Sequence, residues 1–120
     1  MKNDLPERTF QFAVNIVNLC RLLDKNPGVS RILANQLLRS GTSIGANVQE
    51  GLASQSEADF LTKYSIACKE AQETQYWLRL LGVTDIITKD QLLPLLNECR
   101  ELTAILTTIV KKVKAKRKTI

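Results

Sequence analysis

Three acidic pairs come closest to catalytic spacing: Glu57 with Asp59, Glu70 with Glu73, and Glu98 with Glu101. Paired carboxylates do general acid–base work when their surroundings push the two pKa values apart. On a helix, residues three apart share one flank, and Glu70/Glu73 and Glu98/Glu101 fall on polar flanks suited to water or to a basic partner. The chain contains no histidine. That removes nucleophiles activated by a histidine base, the Glu-x-x-His di-iron site of helical bundles and zinc shells of the Cys/His type. Cys20, Cys68 and Cys99 are odd in number, widely spaced and each inside an apolar pattern, which fits small core residues better than a disulfide framework. The expectation is a protein that is not an enzyme and needs no cofactor or metal.

Two other stretches could carry function. GTSIGANVQEG, residues 41–51, spaces three glycines through small and polar residues. A P-loop requires G-x-x-x-x-G-K-[ST] after a strand and a dinucleotide fingerprint requires G-x-G-x-x-G in a βαβ unit; neither is present. Gly41 and Gly45, four apart, share one helix face and mark a strip where another helix can pack closely, offsetting about 1 kcal/mol per glycine against alanine. Ser43, Asn47 and Glu50 form a second strip, open to two readings: a solvated polar face, or a hydrogen-bonded seam that fixes register. The second stretch is KKVKAKRKTI, which places Lys111, Lys112, Lys114, Lys116, Arg117 and Lys118 within eight residues. Such a cluster suits phosphate contact, and equally suits a frayed, solvated helix end whose cations complement the helix dipole.

Four helices are expected to position these groups. The first starts at Asp4-Leu5-Pro6-Glu7, with Asp4 as cap and proline in the first turn, and runs to about Lys25, before the turn signal Asn26-Pro27-Gly28. Its apolar residues Phe10, Phe12, Ala13, Val14, Ile16, Val17, Leu19, Cys20 and Leu23 cover more than half of the circumference. That is too wide for one core face: the helix is either central or buried against a second surface, for which a partner subunit is the natural candidate in a chain this short. The second runs from near Ser30 to about Gly51 with Leu33, Leu37, Ile44 and Val48 inward. The third opens on the near capping box Ser56-Glu57-Ala58-Asp59, carries the seam Phe60, Tyr64, Ala67, Ala71, Thr74, Leu78 and Leu81, and is expected to be capped by Gly82. The fourth opens on the capping box Thr88-Lys89-Asp90-Gln91, tolerates Pro94 near its first turn, and carries Leu92, Leu95, Cys99, Leu102, Leu106, Ile109 and Val113. Short turns between such helices predict an all-α, antiparallel up-down-up-down four-helix bundle.

With 120 residues, 44% hydrophobic and 24% charged, residues 1–120 read as one globular domain with a basic end at 111–118. The charged N-terminus and the absence of a long apolar run predict a cytoplasmic protein with no membrane partner.

RSGTSIGANVQEG, residues 39–51, followed by SQSEADFLTKYSIACKEAQETQYWLRL, residues 54–80, resembles a bacterial four-helix-bundle family known from proteins encoded in intervening sequences of 23S ribosomal RNA genes. The family signature on the second helix is Ser-Ile-x-Ala-Asn-Ile-x-Glu-Gly. Ser43, Ile44, Ala46, Asn47, Glu50 and Gly51 match it with Val48 in place of isoleucine, and Asp59, Phe60, Ala67, Glu70 and Glu73 follow in order. The resemblance implies a bundle that assembles as a homo-oligomeric ring, a pentamer, with Ser43, Asn47 and Glu50 as a structural polar seam. The family also includes accessory proteins of diversity-generating retroelements, which look like basic rings that contact nucleic acid and a reverse transcriptase.

Charge is the independent argument for nucleic acid. Seventeen Lys and Arg against 12 Asp and Glu give a net charge of +5, concentrated at the C-terminal end. In a ring such ends would sum to a strong local field. Aromatics are only 5%, with Tyr64, Tyr76 and Trp77 in or beside packing seams, so binding should run through the backbone, RNA more than DNA, with little sequence readout. Arg39, Lys63, Lys69 and Arg79 would extend the surface if they face it. The competing expectation is a ring-forming scaffold or adaptor for a protein partner; a membrane-surface role conflicts with Ile109, Val110 and Val113 being committed to the bundle.

Overall fold

Helix-start chemistry accounts for most of the boundaries. The structure, a computed structural model, describes residues 4–118 and folds them into α1 (Leu5–Leu23), α2 (Val29–Leu52), α3 (Glu57–Val83) and α4 (Lys89–Lys118). Residues 1–3 and 119–120 of the expected domain lie outside the described residues. Among the described residues there is no strand. The Ser56 hydroxyl accepts from the Asp59 amide at 3.1 Å. Thr88 and Gln91 form the full reciprocal box: the Thr88 amide donates to Gln91 Oε1 at 2.8 Å and the Gln91 amide to Thr88 Oγ1 at 3.1 Å. α2 starts after Gly28, whose φ of 93° a side chain would strain.

Three local expectations are corrected. Asp4 occupies the N-cap position but makes no side-chain cap bond; Pro6, at the start of the helix, presets the first turn. Gly82 is not the C-terminal cap of α3: the helix continues to Val83, and the left-handed residue after it is Asp85, with φ of 60°. Gly82 instead admits Leu92 of α4, whose Cδ2 would lie 2.5 Å from a Cβ built there. Pro94 sits inside α4, in its second turn, where the exposed helix face leaves the carbonyl it cannot serve open to water.

Consecutive helices pack antiparallel through turns at 24–28, 53–56 and 84–88, and α4 returns to α1 along a thinner seam. No close backbone approach links α1 with α3 or α2 with α4 among the described residues, so the four helices form a square bundle 52 Å long and 24 by 22 Å across. The core is a column of Leu5, Phe12, Ile16, Leu37, Ile44, Val48, Tyr64, Leu78, Leu81, Leu102 and Leu106, with the small Ala67 and Ala71 also fully buried in it. Every residue of the α3 seam except the half-buried Phe60 is fully buried. One hydroxyl pair crosses the core: Thr74 Oγ1 lies 3.0 Å from Ser40 Oγ, and each also reaches a carbonyl of its own helix. Cys20 and Cys99 donate to the Ala34 and Ala71 carbonyls, and burial pushes their thiols up to about 11 and about 12. They are inert core residues at neutral pH.

The wide apolar surface of α1 divides in two. Phe12, Ile16, Leu19, Cys20 and Leu23 enter the core, while Phe10 is 64% and Val17 37% exposed. On the neighbouring helix Leu38 is also exposed, so an apolar stripe runs along the outer α1–α2 groove.

Candidate nucleic-acid interface

The end of α4 is placed by its own apolar line. Leu106 and Val110 are buried and Val113 is half-buried, so the helix stays against α3 through its last turns. Beyond Val113 no apolar residue that large follows among the described residues, and cations surround the helix: Lys111, Lys112, Lys114, Lys116, Arg117 and Lys118 are all exposed. The α2–α3 turn stands beside them. Gly51, Leu52, Ser54, Gln55, Ser56, Glu57, Phe60 and Val113 line a shallow depression of about 380 Å³ between that turn and α4. Glu57, in the first turn of α3, lies 3.1 Å from Lys116 Nζ and 3.6 Å from Arg117 Nη1. Among the described residues no carboxylate forms an ion pair with Lys111, Lys112, Lys114 or Lys118.

The cations of the middle helices behave differently. Arg39 of α2 bonds Glu70 at 3.0 Å and also Glu73 of α3. Trp77 Nε1 donates to the same Glu73 carboxylate at 3.0 Å, and this bond, followed by the Arg39 one, holds the Glu73 carboxyl below the usual carboxylate range. Lys63 pairs with Glu50 at 2.8 Å, which raises the Lys63 pKa. Lys69 and Arg79 are exposed on α3. On the other side of the bundle Arg8 grips Glu98 through two bonds of 3.0 and 2.6 Å and Glu101 through a third of 3.0 Å. Its pKa is raised, chiefly by the bond to Glu98. Each acidic pair at three-residue spacing is therefore the receiving half of an arginine clamp between helices.

The strip of Ser43, Asn47 and Glu50 is split in its bonding. Ser43 donates to the Arg39 carbonyl at 2.7 Å and Asn47 to the Ser43 carbonyl at 2.8 Å, both on their own helix, whereas Glu50 crosses to α3 through Lys63. Gly41 and Gly45 lie under α1: a Cβ at Gly41 would sit 2.9 Å from Ile16 Cγ2, and one at Gly45 would sit 3.2 Å from the Thr9 carbonyl oxygen. Tyr76, read as lying in or beside a packing seam, is 56% exposed, though it edges onto Trp77 with ring centroids 5.0 Å apart. It stands 19 residues along α3 from Glu57, roughly 28 Å at 1.5 Å per residue, too far to serve the basic end. The arginine partners of the acidic pairs were not identified from the sequence alone. Their signal was an i,i+3 carboxylate pair facing an arginine on a neighbouring helix, and it becomes readable only once the inter-helix register is known.

The model of the 23S rRNA-intervening sequence protein family matches residues 1–108. The chain belongs to that family. A solved structure similar to this chain is the 1.70 Å crystal structure of a protein of unknown function from the S23 ribosomal protein family of Bacteroides thetaiotaomicron VPI-5482. It is 44% identical, covers 89% of this chain and 98% of its own, and superposes with a TM-score of 0.82. No curated protein matches the chain. The family match stops at residue 108, before the first of the six cations at Lys111. Family membership of the chain thus rests on the bundle, and the basic end lies outside the matched residues. No helix among the described residues is long and apolar enough to cross a membrane.

Proposed function

We propose that this protein is a non-catalytic, homo-oligomeric bundle that associates with nucleic acid in the cytoplasm, RNA in preference to DNA, through phosphate contacts from the end of α4. The observation that carries the reading is charge left over after the fold has used what it needs. Lys111, Lys112, Lys114 and Lys118 stand exposed, without a carboxylate pairing them among the described residues. Unpaired cations on a regular helix exchange the counterions of a phosphate backbone readily and read no base sequence. The RNA preference draws on the family, named for an interruption of 23S rRNA. Oligomerisation, a pentameric ring included, draws on the exposed Phe10, Val17 and Leu38 stripe, whose burial against a second copy would also gather several basic ends into one field. Within that bundle Gly41 and Gly45 set how closely α1 approaches α2 and Glu50 ties α2 to α3 through Lys63, while Ser43 and Asn47 bond carbonyls of α2 itself.

The test is binding of structured RNA and of duplex DNA to the wild type and to a variant with alanine at all six basic positions, with light scattering to establish one oligomeric state in both. Loss of about a hundredfold or more in affinity is expected, given four to six phosphate contacts. Equal binding by the two proteins would overturn the assignment. A second reading, a ring-forming scaffold for a protein partner, is favoured by one patch: the exposed Tyr76, Arg79 and Val83 form, with the half-buried Leu80, a mainly apolar surface on α3, with Val83 83% exposed. It predicts no nucleic-acid binding near physiological salt.

A further inference from the structure

The six cations do not occupy equivalent positions. At 100° per residue the end of α4 has three lines. Val110, Val113 and Arg117, spaced three and four apart, continue the line that faces the bundle, and this line carries Arg117 to Glu57 of α3. Lys111, Lys114 and Lys118, with the same spacing, form a second line about 110° from the core direction, all exposed and none ion-paired with a carboxylate among the described residues. Lys112 and Lys116 form the third, and Lys116 also reaches Glu57. The second line runs over eight residues, seven steps of about 1.5 Å or roughly 10 Å of helix, with a cation about every 5 Å. Given the reach of a lysine side chain, that spacing suits successive phosphates of one strand.

We propose that Glu57 is an internal stand-in for phosphate. It holds Lys116 and Arg117 against the bundle, so that the nucleic-acid contact falls on the Lys111–Lys114–Lys118 line with Lys112 at its side, and its carboxylate sets an upper limit on how tightly the end of α4 binds. The inference rests on the nucleic-acid reading above and deepens it by dividing the site into a clamp and a contact line. Phosphate and Glu57 compete for the same two cations. Glu57, the first residue of α3, pairs with both of them. It also lies in the first turn of α3, where the helix dipole holds a carboxylate favourably, so it is a fixed rather than a wandering competitor.

The experiment compares salt dependence of binding to poly(U) and to a duplex RNA for the full chain and five variants. Lys111, Lys114 and Lys118 changed together to Gln should flatten the slope of log K against log salt by about 2 to 3, at 0.7 to 0.9 per phosphate lost. Lys116→Gln with Arg117→Gln should flatten it by less than about 1. Glu57→Gln should raise affinity about two- to tenfold at low salt and steepen the slope by about 1 to 2, since exposed ion pairs are weak and give way readily. Adding the Lys116 and Arg117 changes to Glu57→Gln should cancel that gain. Glu7→Gln, the same charge change on exposed α1, should leave the slope where it was. If Lys116 and Arg117 cost as much as the three-lysine line, or Glu7→Gln matches Glu57→Gln, the division is wrong although nucleic acid still binds. If the wild type binds neither RNA, the functional reading falls and this inference with it.

Discussion

The middle of the bundle and the end of α4 are built from the same charged residue types and use them in opposite proportion. In the middle, one arginine meets two carboxylates twice over: Arg8 with Glu98 and Glu101, Arg39 with Glu70 and Glu73. At the end of α4 the ratio reverses, and one carboxylate, Glu57, meets two cations, Lys116 and Arg117, in the midst of six. Where anions outnumber cations in a clamp, the charge is consumed in joining helices. Where cations are left over beyond the last apolar contact, they add nothing to packing and are available to a polyanion. The positions of the clamps support the division: Arg8 closes the thin α1–α4 seam and Arg39 fastens α2 to α3, while the cations of the basic end all follow Val110, the last buried residue of α4.

Changes in one region should leave the other unmoved, and that separation is what the following variants probe. The largest effect is expected from the six-alanine variant, whose loss of a hundredfold in RNA affinity corresponds to about 2.7 kcal/mol, with a urea unfolding midpoint within error of the wild type. A large shift of that midpoint would mean the end belongs to the fold after all. Arg8→Met should act the other way, lowering stability by about 1 kcal/mol in urea unfolding because the part-buried Glu98 and the exposed Glu101 lose their shared partner, and leaving RNA affinity unchanged. Gly41→Ala should cost about 1 kcal/mol by the same measurement despite alanine's better helix propensity, since the new Cβ meets the buried Ile16 side chain at 2.9 Å. The smallest effect concerns acid. The Glu73 carboxyl is lowered below its ordinary 4.5 in the folded state, so its stabilisation is fully present above that value and is lost as pH falls through the folded value. Because Glu73 is more than a third exposed, a few tenths of a kcal/mol is the expected scale, seen as a shallower acid limb in Glu73→Gln.

Much of the architecture was legible because its signals are local and periodic. The steps of three and four from Tyr64 to Leu81 predict the buried α3 seam residue by residue, and Thr88 with Gln91 forms the box expected of them. Gly82 shows the limit of such reasoning. A glycine after an apolar run is a fair local sign of a helix end, but the approach of Leu92 from α4, a tertiary contact, gives that glycine its use, and Asp85 takes the left-handed position. The basic end was visible as composition, since six cations in eight residues need no partner to be noticed. Its division was not, because Glu57 lies about sixty residues away in sequence and meets Arg117 only through the register between α3 and α4. The same holds for Arg8, whose partners are 90 and 93 residues distant.

The central claim is that charge left over at the end of α4 contacts phosphate, and the most direct test is the salt dependence of RNA binding by the wild-type protein. Four unpaired cations predict that log K falls against log salt with a slope of about −3 per bound protomer, steeper if neighbouring copies share one strand. A slope near zero, or no binding at all near physiological salt, would contradict the claim and turn attention to the exposed Tyr76 and Val83 surface of α3 as a site for a protein partner.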